Sequence, residues 1–170
     1  MTPITILQKL ISINSVSGKE AEILQWVQEF LTGLGLKPFT IEGNLVVWIK
    51  GKRKTKAIIF NAHLDTVTPG NLTLWSSPPF SGKLLNGKVY GLGASDEKSA
   101  VTALLLLAQK LAGTEPACDV WLTFVVREEL DGSGTKSFIK WFSQNHRAKY
   151  KYLAGVLGEP TGLAKIELAH

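Results

Sequence analysis

Residues 57–62, Ala-Ile-Ile-Phe-Asn-Ala, form a nearly continuous apolar run, and a strand that lacks polar alternation has both of its faces covered. Such strands lie inside parallel sheets, where crossover helices shield the two faces. The flanking sequence has the period to supply them. Ile4, Leu7, Leu10 and Ile11 suggest a short helix. Ser17-Gly18-Lys19-Glu20 has the capping-box pattern, and Ile23, Leu24, Val27, Phe30, Leu31 and Leu34 follow at helical spacing, which predicts a helix over 18–34. Segments 36–41 and 45–50 read as strands around a Gly43-Asn44 turn. A short strand at 88–90, a helix over 97–112, a strand over 119–127, a helix over 134–145, a strand over 152–158 and a last strand over 164–169 complete the series. Strand, helix, strand, helix, strand between residues 88 and 159 is the pattern of right-handed crossovers. The expected fold class is α/β, with a mixed, largely parallel central sheet and helices on both faces.

Several function classes are disfavoured at the outset. The longest apolar run, 100–108, is interrupted by Thr102 and is about half of the roughly 20 residues that a membrane-spanning helix needs. It reads as a buried helix, and no membrane partner is expected. The single Cys118 leaves no internal disulfide, and Met1-Thr2-Pro3 runs into an amphipathic segment rather than a secretory leader, so the cytoplasm is the expected compartment. A net charge of +5 gathers partly in Lys50, Lys52, Arg53, Lys54 and Lys56 around Gly51. That cluster lies between two apolar strands, where a solvated hairpin turn is expected, and it lacks the interleaved aromatic residues of a single-strand nucleic-acid platform. No nucleic-acid partner is expected.

The polar residues that follow the apolar strands carry the chemistry. His63 and Asp65 come just after the run at 57–62, Glu128 and Glu129 after the strand at 119–127, and Glu159 after the strand at 152–158, while Asp96 lies in the turn that opens a helix. Ligands of such sheets gather beyond the carboxyl ends of the strands, so these groups can converge on one rim. Singly, each has an ordinary structural reading: a hydrogen-bonded surface histidine, a helix N-cap, a solvated strand end. Jointly, carboxylates with one imidazole suit zinc, and alternatively cobalt or manganese. A carboxylate bridging two ions about 3.5–4 Å apart is the logic of two-metal hydrolysis. In that setting one of two adjacent glutamates can bind metal while its neighbour transfers a proton. Asp65, two residues past His63, can orient the imidazole's other nitrogen. Residues 65–82, rich in Thr, Pro, Ser, Asn and Gly, read as a functional surface loop, with Trp75 available to line a pocket. Trp26, Trp48, Trp121 and Trp141 fall in periodic apolar segments and read as core, and His146 reads as a surface or helix-end residue.

Other motifs fail on spacing. Gly132-Ser-Gly134-Thr-Lys136-Ser137 follows a strand and opens a helix, but a phosphate loop needs Gly immediately before the Lys, where this chain has Thr135. Gly91-Leu-Gly93 lacks the third glycine of a dinucleotide fingerprint, and Ser95 is outside any Gly-x-Ser-x-Gly elbow.

The strings His63-Leu-Asp65-Thr-Val, Asn86-Gly87-Lys88-Val89-Tyr90-Gly91-Leu-Gly93-Ala-Ser-Asp96-Glu-Lys98, Glu128-Glu129 and Gly158-Glu159-Pro160-Thr161, with Pro79-Phe80, resemble those of the di-zinc aminoacylase/carboxypeptidase G family. That family includes acetylornithine deacetylase, succinyl-diaminopimelate desuccinylase and related metallopeptidases. The resemblance implies a zinc-exopeptidase-like fold and hydrolysis of an N-acyl amino acid or a C-terminal peptide bond. It implies that His63 and Glu159 bind one metal, Glu129 the other, and Asp96 both. It also implies that Glu128 is the general acid/base, that Asp65 orients His63, and that the Asp96–Glu97 peptide is cis. Leu92 and Ser99 depart from the family's usual Gly-Arg-Gly and glycine, without touching an implied ligand.

Family chains are about twice as long, so the resemblance implies that residues 1–170 are the N-terminal portion of the catalytic domain. The lid and dimerisation domain, the C-terminal catalytic half and the second metal's histidine are then expected beyond it. His170 belongs to the stretch preceding the lid and is not a replacement ligand. The expectation for this chain is therefore one tight zinc and one weak or absent zinc. The alternative is a non-catalytic metal-binding or interaction module left by truncation, whose unfinished sheet edge associates with itself or a partner.

Overall fold

The computed structural model describes residues 1–161, and the strand expected over 164–169 lies outside them together with His170. Two helices lead, α1 (Pro3–Ser12) and α2 (Ala21–Gly33), followed by strands β1 (Phe39–Ile41), β2 (Asn44–Ile49) and β3 (Arg53–His63). A small hairpin, β4 (Lys83–Leu85) and β5 (Lys88–Tyr90), precedes helix α3 (Lys98–Leu111). Strand β6 (Cys118–Val125), the one-turn helix α4 (Glu128–Asp131), helix α5 (Ser133–Asn145) and strand β7 (Tyr152–Leu157) complete the series.

The central sheet has the order β1-β2-β6-β3-β7. β3 pairs in parallel with both β6 and β7, whereas β2 runs antiparallel to β6 and to β1. This is the expected mixed, largely parallel sheet. Alternate residues divide between its faces, as the twofold period of a strand requires. Leu45, Val47 and Ile49 of β2 and Val120, Leu122 and Phe124 of β6 meet Ile6, Leu10, Val27, Leu31, Val101 and Leu105 of α1, α2 and α3. On the other face Val46 and Trp121 pack with Phe138 and Phe142 of α5.

Four expectations need correction. The basic segment around Gly51 is not a hairpin turn, because β6 lies between β2 and β3. The connection passes over the start of β6, where the Gly51 amide donates to the buried Asp119 carboxylate at 2.9 Å and a side chain on Gly51 would enter the Cys118 backbone. Strand 88–90 exists but pairs with β4 outside the central sheet, so the parallel series starts at β3. The Ser17–Glu20 pattern does not cap α2: the helix starts at Ala21 with no side-chain cap, and the two side chains have other partners. His146 does end α5, but its ring packs against Trp48, Trp121 and Trp141, with centroids 5.3, 4.8 and 4.9 Å away.

Candidate metal centre

Because β3, β6 and β7 are parallel, their carboxyl ends share one rim. His63 is the last residue of β3, Glu128 and Glu129 follow β6 after a two-residue turn, and Glu159 lies two residues past β7. Asp96 reaches the same rim from the turn before α3. Ligand atoms of His63, Asp96 and Glu159 lie within 4.8 Å of one another. His63 is buried, whereas Asp96 and Glu159 are exposed.

The imidazole is held from both sides. His63 Nδ1 is 3.0 Å from the Asp65 backbone carbonyl, an acceptor, so the hydrogen-bond pattern assigns a proton to Nδ1. His63 Nε2 is 3.0 Å from Asp96 Oδ1. A neutral ring with its proton on Nδ1 would face that carboxylate with a lone pair, so a second proton or a cation must lie between them. Acids dominate the surroundings. Burial works against the imidazolium, yet Glu97, Asp65 and Asp96 outweigh it and hold His63 above its ordinary value of 6.5. Burial raises the Glu129 and Glu159 carboxyls, and the nearby Asp96 carboxylate adds to each. The site has more negative charge than one histidine can balance, and a divalent cation would relieve it.

Asp65 works differently from the expectation. Its contact with the His63 ring is through the backbone carbonyl, with carboxylate Oδ1 at 3.6 Å from Nδ1. The buried carboxylate instead accepts from the amides of Glu128 and Glu129, at 3.0 and 3.1 Å, and from the Ser17 hydroxyl at 2.6 Å. It therefore ties the β3 exit to the turn after β6.

Sequence reasoning missed Glu97. It is buried, accepts from the His63 amide at 2.6 Å, and leaves Oε1 without a hydrogen-bond partner among the described residues. Burial is the main reason that its carboxyl is pushed up to about 7. The signal available was the Asp96-Glu97 doublet, which matches Glu128-Glu129 in kind. The Asp96–Glu97 peptide is cis. Next to it, Lys98 is wholly buried and its ammonium donates to the carbonyls of Leu10 and Ile13, at 2.9 and 2.8 Å, anchoring the turn to the end of α1.

Trp75 joins Thr66, Val67 and Leu92 around a hollow of about 390 Å³ beside Asp96 and Glu129. Its indole donates to the Pro69 carbonyl at 2.8 Å, so it presents apolar surface to the hollow rather than a donor.

Known proteins share this sequence pattern and this fold. The sequence profile of peptidase family M20/M25/M40 matches residues 59–169. Succinyl-diaminopimelate desuccinylase of Blochmanniella floridana is 29% identical over 172 residues, covering 96% of this chain and 44% of its own. The M20 family metallo-carboxypeptidase Sso-CP2 from Sulfolobus solfataricus superposes with a TM-score of 0.73 at 20% identity, covering 93% of this chain and 37% of that one. The Bacillus subtilis YXEP protein, a dinuclear metal binding peptidase, superposes with a TM-score of 0.61 at 16% identity, covering 90% and 41% of the two chains. The chain thus spans less than half the length of the relatives that it matches.

Proposed function

The chain belongs to peptidase family M20/M25/M40, and on that premise we propose that residues 1–170 are the N-terminal portion of the catalytic domain of a metal-dependent hydrolase of C–N amide bonds. The substrate is an N-acyl amino acid, of the deacetylase or desuccinylase type, or a peptide. The observation that carries the reading is the convergence of His63, Asp96 and Glu159 from three separate elements. An imidazole nitrogen and carboxylate oxygens fit zinc, and the excess of acid around them supports a cation.

In this reading His63 and Glu159 would hold one ion and Glu129 the other, with Asp96 serving both. When bound, the ions supply a polarised scissile carbonyl and a water acidic enough to deprotonate near neutral pH. Glu128, half-exposed at the head of α4, would take a proton from the attacking water and return it to the leaving amine. His63 stays aligned because its Nδ1 proton is held by the Asp65 carbonyl. Trp75 and Leu92 offer the substrate an apolar wall at the hollow.

Calorimetric zinc titration of the 170-residue chain tests the reading. One tight site is expected, because three described donors converge on one ion and Glu129 adds a single further group to Asp96. Two equally tight zincs would contradict the assignment, and so would zinc affinity that persists in His63→Ala.

One observation favours a second reading, association of the sheet edge with another polypeptide. Every residue of β7 is exposed, including Tyr152 at 54%, Val156 at 46% and Leu157 at 61%. Among the described residues β7 ends the sheet, and such an edge is a template for strand pairing. Light scattering that finds a monomer at all concentrations, together with turnover of N-acetyl or N-succinyl amino acids, would rule it out.

A further inference from the structure

The turn that bears Glu128 and Glu129 begins with Arg127 in the left-handed region, at φ 58° and ψ 29°, which a non-glycine residue seldom adopts without external support. The support comes from one short loop between α1 and α2. Glu20 is buried and accepts from the Arg127 amide through Oε1 at 3.2 Å. Ser17 donates to Asp65 Oδ2 at 2.6 Å, and Asp65 in turn accepts from the amides of Glu128 and Glu129. Three successive amides, of residues 127, 128 and 129, thus meet acceptors that this loop supplies or orients. The loop is itself fixed against the β3 exit: the Ser17 amide donates to the Thr66 carbonyl at 3.1 Å, and the Thr66 amide to the Ser15 carbonyl at 3.0 Å.

We propose that Ser17 and Glu20 are positioning residues that hold the Glu128–Glu129 turn at the metal rim. The inference rests on the reading that those two glutamates serve metal-dependent hydrolysis. The Asp65 carboxylate can rotate about its terminal bond, whose torsion is soft. Its plane is set by the donors around it, and the short Ser17 bond has the length of a charge-assisted contact. Without the hydroxyl the carboxylate turns, and its bonds to both amides weaken together. Without an acceptor at Glu20, Arg127 loses the partner of its amide in a conformation that disfavours it.

Amide hydrogen exchange on the full 170-residue chain, with zinc titration of the same samples, tests this. Ser17→Ala should accelerate exchange at Glu128 and Glu129 about tenfold, the loss expected of one charged hydrogen bond, while Leu122 and Phe124 in β6 keep their rates. Glu20→Ala should do the same at Arg127. Ser17→Thr and Glu20→Gln, which retain the donor and the acceptor, should restore wild-type exchange. Zinc affinity at the His63, Asp96 and Glu159 site should stay within about twofold in every variant, since that site is held by other contacts. Unchanged exchange at residues 127–129 in the alanine variants overturns the proposal. So does acceleration spread evenly through β6, or a failure of the conservative variants to restore protection. A wild-type chain that binds no zinc but shows the expected exchange pattern would overturn the metal reading alone and uphold the clamp.

Discussion

Gly158 lies directly against the Glu97 carboxylate: a β-carbon at position 158 would enter Glu97 Oε1 and the Ala100 methyl group. The glycine is needed here for close approach rather than for a left-handed turn. It lets β7 end over the turn before α3 and delivers Glu159 to His63 and Asp96. Gly158→Ala should cost about 1–3 kcal/mol, as overpacking does. Because Glu159 is the next residue, zinc affinity should also fall. Urea unfolding and zinc titration of the variant check both, and wild-type values in each would show that the contact is easily relieved.

Zinc should stabilise the fold by mass action. At about 100 times its dissociation constant a single ion contributes about 2.7 kcal/mol, which for a domain of this size is a rise in Tm of roughly 5–10 °C. Chelator should reverse the rise, and Asp96→Asn should reduce it. A Tm indifferent to zinc in thermal scans would contradict the centre.

Asp119, at the opposite end of the sheet, gives the acid dependence. It is buried and accepts from the Gly51 amide at 2.9 Å, the Trp48 indole at 3.1 Å, and Lys149 and the Tyr150 hydroxyl, each at 2.7 Å. Burial raises its carboxyl, but the bonds from Lys149, Gly51 and Tyr150 outweigh that and leave it below its ordinary 3.8. The folded state therefore favours the ionised form. Its contribution is fully present above the unfolded value and is lost as pH falls through the lower folded value. Asp119→Asn should cost about 2–4 kcal/mol near pH 7, because donors are left unpaired. The difference from wild type should shrink as pH falls below 3.8 and through the lower folded value, where the wild-type group also becomes neutral. Denaturant unfolding at several pH values reads this directly, and a difference independent of pH would exclude the charge as its source.

Lys98→Met should cost about 2–4 kcal/mol, since the carbonyls of Leu10 and Ile13 lose their shared donor inside the protein. The effect should appear in urea unfolding without zinc. If the variant is as stable as wild type, Lys98 is not the anchor between α1 and the Asp96 turn.

Local signals located most elements. α3 and β6 are long, periodic apolar segments, and that pattern gives the bounds of each to within a residue or two. The turn between β1 and β2 is at Glu42-Gly43, one residue before the expected Gly43-Asn44, because Asn44 already pairs with Ile41; both turn residues have positive φ, at 47° and 85°, as a tight hairpin requires. Partnership between elements was less legible. Nothing near Gly51 announces that β6, some 70 residues later, enters between β2 and β3, because apolar period reports which face is covered and not by what. The same limit made Ser17 and Glu20 look like a helix cap. A local cap and a long-range clamp call for the same side-chain oxygens: here Glu20 accepts from the Arg127 amide, 107 residues away, while the Ser17 hydroxyl donates to the Asp65 carboxylate.

The sequence alone determined which chemistry was available and where along the chain it stood: His63, Glu128, Glu129 and Glu159 just past apolar strands, with Asp96 at a helix start. A strand's direction and its period of two are local properties, so a residue that follows a buried parallel strand is bound for the rim. Tertiary structure decided how those groups are held. The Asp65 carboxylate accepts from the Glu128 and Glu129 amides while its carbonyl holds the His63 ring, and Glu97 accepts from the His63 amide. Those choices depend on hydrogen-bond distances between segments far apart in sequence, and such distances exist only once α1, α3 and the sheet have packed together.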